Sequence, residues 1–163
     1  MSDWYATVAA EWKALVLATL TEITAPNFLT IVQALRFNAI SEAIKALNGD
    51  TNRVAPPYFF LELGTETVAT DQDPSQWFYY LPATFYYVID KDPGGVLDAP
   101  AYARSRLELL RVAFQTPGDL TTCQWMGSDG VIDSSEDVAF ADENMALFAA
   151  SLKWDQGFLT LVT

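Results

Sequence analysis

The first hydrophobic pattern in the chain is helical. Trp4, Val8, Trp12, Leu15, Val16, Leu20 and Ile23 recur at three- and four-residue spacing, with Ser2 or Asp3 available as N-cap. Ala25-Pro26-Asn27 ends that run, because proline is best tolerated in the first turn of a new helix. The pattern then predicts a second helix reaching Asn48. Phe28, Ile31, Val32, Leu35 and Ala39 form one stripe, and Phe37, Ile40, Ile44 and Leu47 form another, rotated from it. Apolar residues on two faces predict cover on both sides. Gly49 is placed to end the helix in the left-handed conformation.

Beyond the loop at 50–57 the pattern changes to that of strands. Tyr58-Phe-Phe-Leu-Glu-Leu63 is a strand by its aromatic and branched content, and Gly64 marks a bulge before Thr65–Val68 continue it. Asp71-Gln-Asp-Pro-Ser75 has the composition of a hairpin loop. Trp77–Ile89 predicts a long returning strand. Trp77, Tyr79, Leu81, Ala83, Phe85, Tyr87 and Ile89 fall on one face; Phe78, Tyr80, Thr84, Tyr86 and Val88 fall on the other. Pro82 cannot donate to a ladder, which predicts an edge strand or a bulge there. A helix over about 98–115 begins with Asp98 as N-cap and Pro100 in its first turn, and buries Ala103, Leu107, Leu110 and Phe114. Short strands are expected at 121–126 and 130–134, with an acidic stretch after them. A strand at about 144–155, a turn at Gln156-Gly157 and a last strand at Phe158–Val162 complete the pattern. The expected architecture is a single α+β domain over 1–163, with a helical part at 1–49 and a sheet-bearing part at 56–163. Its antiparallel sheet, a long hairpin plus C-terminal strands, packs on a helix layer.

Composition narrows the class. Half the 163 residues are hydrophobic and 13% are aromatic, which is enough for a core and excludes the disordered class. No apolar run approaches the roughly 18 residues of a bilayer span. Met1-Ser2-Asp3 lacks the basic start of a secretory signal, so residence in a cytoplasm, or assembly from one, is expected. Histidine is absent and Cys123 is the single cysteine. That removes the usual Ser-His-Asp and Cys-His nucleophilic centres and the commonest ligands of zinc, copper and iron. No catalytic, cofactor or metal site is expected. Cys123, with no basic neighbour in sequence, reads as a small buried hydrophobe.

Charge is uneven. The net formal charge is −12; residues 1–55 hold four bases against five acids, and residues 56–163 hold five against sixteen. Phosphate binding needs clustered Lys and Arg, which the chain does not supply. Asp71/Asp73 and Asp90/Asp92 have the spacing of a hard-cation loop, but neither fits the EF-hand pattern, and solvated turns explain them better. Asp133, Glu136, Asp137, Asp142 and Glu143 form the acidic stretch. Arg104, Arg106 and Arg111 all lie on the 98–115 helix. Arg104 with Glu108, and Glu108 with Arg111, have the spacing of ion pairs on one exposed face. The alternative is a basic strip that docks the acidic surface of an adjacent copy.

The order of these elements resembles the tail-terminator proteins of long-tailed bacteriophages. The residues that carry the likeness are the proline-aromatic strand Pro56-Pro-Tyr-Phe-Phe-Leu-Glu-Leu63, the acidic turn and long returning strand from Asp71 through Trp77 to Ile89, the Asp-led helix from Asp98 to Phe114, and the alternating strand from Met145 to Trp154. The likeness spans about two thirds of the chain and is one of architecture. It departs at the N-terminus, where two predicted helices stand in place of one. It implies a non-enzymatic virion protein of the tail and neck, forming a homohexameric ring on the last ring of the tail tube. Such a ring docks the head-side connector and lets DNA pass without specific binding. Asp71, Asp73, Asp133, Glu136, Asp137, Asp142 and Glu143 are then candidates for a lumen or axial-partner surface that repels phosphate. Arg104, Arg106, Arg111, Trp77, Tyr79 and Tyr86 are candidates for contacts between subunits. Two rivals remain: another neck or head-completion connector, and a small ligand-binding or isomerase-like domain with an aromatic pocket, for which Glu62 is the one candidate carboxylate.

Overall fold

A computed structural model of the chain describes residues 4–31, 56–65, 67–69, 76–90, 98–115, 131–138 and 147–161. Helix α1 spans Trp4–Thr19, and its spacing buries Trp12 and Val16, with Leu20 and Ile23 continuing the stripe past its end. The Leu20 amide donates to Val16 O, and the Ile23 amide to Leu20 O, so the chain turns under its own backbone bonds. Ala25–Asn27 form a 3-10 turn with Pro26 near its start. The expected break is therefore there.

The segment after this turn is a strand, not a helix. Phe28–Ile31 form β1, which runs parallel to β2, Tyr58–Leu63. The helical spacing of Phe28, Ile31 and Val32 competes with a segment rich in aromatic and branched residues, and pairing against Phe59–Glu62 decides for the strand. Phe28 stacks on Phe59 at 5.4 Å between ring centroids, and Asn27 Nδ2 donates to Pro57 O at 2.8 Å, which fixes the register. The remainder of the predicted second helix, 32–48, and Gly49 lie outside the described residues. The Pro56–Pro57 peptide is cis.

The architecture is α+β, but the sheet is mixed rather than antiparallel. Its strand order is β1-β2-β4-β6-β5, with β3 also on β4. β3 is Thr67–Ala69, β4 Gln76–Asp90, β5 Val131–Val138 and β6 Leu147–Leu161; every pairing except β1 with β2 is antiparallel. A parallel pair requires a crossover of a dozen or more residues, and 32–57 supplies that length.

The expected long hairpin is present as β2 and β4, and β4 runs as a central strand. Pro82 is therefore not at an edge. Gly64 donates its amide to Pro82 O at 2.8 Å, so Pro82's carbonyl, and the side of its missing N–H, face the gap between β2 and β3. The absent donor falls where the ladder is already interrupted. A methyl group on Gly64 would stand 2.7 Å from Pro82 Cγ and 3.2 Å from Pro82 O. Gly64→Ala is accordingly expected to destabilise the fold by about 1–3 kcal/mol. A lowered urea midpoint checks this, and an unchanged midpoint would contradict it.

The C-terminal pattern also differs from expectation. β6 is one 15-residue strand, with no turn at Gln156-Gly157; Gly157 sits opposite Tyr80, within a register that runs unbroken from Gln76↔Leu161 to Asp90↔Leu147. A partner as long as β4 holds the ladder through a local turn signal. The strand expected at 130–134 is present but runs on to Val138, so Glu136 and Asp137 lie inside β5 rather than after it, because pairing with β6 outweighs the poor strand propensity of Asp and Glu. Strand 121–126 and Cys123 lie outside the described residues.

Helix α2, Ala99–Gln115, begins as its sequence predicts. Asp98 Oδ1 accepts the Ala101 amide at 3.3 Å, and Ala99, Ala103, Leu107, Leu110 and Phe114 are buried. Both helices cover the same face of the sheet. Phe85 is the centre of that core, 5.6 Å from the Trp12 ring, 6.0 Å from Phe59 and 4.8 Å from Phe114. The opposite face is closed as well: Tyr58, Phe60, Val88, Leu147, Ala149 and Ser151 are buried within the chain. Ser151 Oγ is buried, and among the described residues it has no hydrogen-bond partner. Ser151→Ala is therefore expected to be neutral or slightly stabilising, since it removes an unsatisfied hydroxyl. A clear loss in thermal unfolding would contradict that.

Candidate functional site

The most developed polar cluster in the described residues joins three distant segments. Glu22, in the turn after α1, accepts two hydrogen bonds from Arg106 of α2, from Nε at 2.5 Å and from Nη2 at 2.7 Å. The Tyr87 hydroxyl of β4 donates to the same Glu22 Oε1 at 3.2 Å. Arg106 also lies over the Tyr102 ring at 5.9 Å, and Tyr102 meets Tyr87 edge-on at 6.3 Å. The side chains of Arg106 and Glu22 are 21% and 22% exposed, so the pair is largely sheltered from screening solvent.

The electrostatics follow from that shelter. Burial works to raise the Glu22 carboxyl, but the hydrogen bonds and charge of Arg106, with the Tyr87 hydroxyl, outweigh it and hold the group below its ordinary value. Burial, then the Glu22 charge, pushes the Tyr87 phenol far above its usual range, so it remains a protonated donor. The hydrogen bond to Glu22 raises Arg106 further. A fork-on-carboxylate pair with a permanent neutral donor is a structural tie between α1, β4 and α2. It offers no group poised to exchange a proton near neutrality.

That cluster changes the expected role of Arg106. It is engaged within the chain rather than held out for a neighbouring copy. Arg104 and Arg111 stand where the spacing placed them. Arg104 Nη2 is 3.7 Å from Glu108 Oε1, and Arg111 Nη2 bonds Glu108 Oε2, so both arginines share one carboxylate on the outer side of α2. Leu109 and Val112 are 48% and 60% exposed on the same helix.

The other candidates divide by position. Asp133 pairs in register with Ser151, Glu136 with Ala149 and Asp137 with Phe148, and a register shift falls between Asp133 and Glu136. Among the described residues β5 is the last strand of the sheet. Acids and a bulge on a terminal strand discourage pairing with another strand. Trp77 sits opposite Thr160, and Tyr79 between Val68 and Phe158, in the half of β4 farthest from Asp90. The half-buried Tyr86 hydroxyl donates to Glu62 Oε2 at 3.2 Å. Glu62 itself is half-buried on the face away from the helices, opposite Thr84. Asp71, Asp73, Asp92, Asp142 and Glu143 lie outside the described residues. Among those described, no group of three His, Cys, Asp or Glu could hold a metal ion, and no helix is long and apolar enough to cross a membrane.

The Glu22 tie has no local sequence signal. Its members are 84 and 65 positions apart, and each alone reads as an ordinary polar flank or strand aromatic. No protein-family model matches the chain, and no curated protein matches it in sequence.

Proposed function

We propose that this chain is a structural virion subunit that caps a phage tail tube as a homohexameric ring and presents the tail-side docking face for the head connector. The observation that carries the reading is a mismatch of lengths. β4 and β6 are each 15 residues and pair throughout, a ladder of about 50 Å. α1 and α2 have 16 and 17 residues, about 25 Å each. They lie beside one another over the same half, since Trp12, Phe85 and Phe114 are in mutual contact. The half of the ladder at 76–82 and 154–161 thus reaches beyond the two described helices. An extended ribbon of this kind suits a subunit that must reach its neighbours and the tube end below.

Charge supports the same reading. Residues 76–82 carry no charged side chain, and 154–161 carry only Asp155, in a chain of net charge −12. Charge depletion with Trp, Tyr and Phe is the composition of interface centres. An acidic subunit also leaves a DNA path unobstructed by binding, because phosphate contacts require clustered cations. The test is functional. Purified chain added to polymerising tail-tube protein is expected to halt growth and appear at one tube end by electron microscopy. Tubes that lengthen unchanged, with no protein at their ends, would overturn the proposal.

A further inference from the structure

We draw no further inference here: the strongest candidate, the polar cluster on the sheet face away from the helices, where the buried Ser151 hydroxyl stands in register with Tyr86 and two residues from the exposed Lys153, carries nothing because nothing among the described residues shows what covers that face.

Discussion

Phe85→Ala is expected to lower the free energy of unfolding by about 3–5 kcal/mol, the largest effect of any single substitution in the described core. Phe85 is fully buried at the meeting point of all the described core layers. Trp12 reaches it from α1, Phe114 from α2 and Phe59 from the neighbouring strand. Truncation removes the ring's transfer energy and leaves a cavity lined by aromatics whose own positions depend on one another. Collapse around it would have to move two helices at once, which places the cost at the upper part of that range. Domains of this size hold about 5–15 kcal/mol in total, so the variant will be near the limit of folding. Urea unfolding checks this through a fall in midpoint at unchanged slope. A loss under about 1 kcal/mol would mean that the helices do not pack over the sheet as described.

Glu22→Gln is the second large expectation, with a dependence on pH that identifies its cause. The variant keeps the shape of the side chain but removes the charge that Arg106 and Tyr87 share. At neutral pH it is expected to cost about 1.5–3 kcal/mol, the range of hydrogen bonds to charged groups, since both partners are mostly sheltered. The folded-state value of Glu22 is depressed below 4.5. Its contribution is therefore fully present above that unfolded value and is lost as the pH falls through the folded one. The difference between parent and variant should persist from neutrality to about pH 5 and shrink in stronger acid. A difference that stays constant down to strong acid would contradict the charge-based tie and point to packing alone.

The elements whose sequence agrees with their surroundings are legible in advance. Asp98, Pro100 and the stripe through Phe114 specify α2 by cap, first turn and spacing together, and all three agree with the tertiary contacts. Glu108 between Arg104 and Arg111 can be read as a local pair because helical neighbours are fixed by geometry. Phe28–Ile31 mislead because four residues satisfy helical and strand patterns alike, and the deciding interaction is with Phe59–Glu62, far along the chain. Pro82 is legible as a missing donor but not as a central-strand residue, since its place depends on the gap at Gly64. Gln156-Gly157 carries a true turn signal that a 15-residue partner strand overrides. Arg106 reads as an outward cation, yet Glu22 meets it across the fold. The apolar second face of β4 suggests surface left for neighbours, but at Val88, with Tyr58 and Phe60 beside it, that face is closed within the chain. Under the proposed reading, contacts between subunits fall instead on the charge-poor half of the ladder.

Whether the chain is a ring subunit is decided by the mass of the purified particle in native mass spectrometry, alone and after incubation with tail-tube protein. Six copies per particle, either in solution or at the tube end, is the expected result. A chain that remains a single copy in both conditions would contradict its reading as a ring subunit.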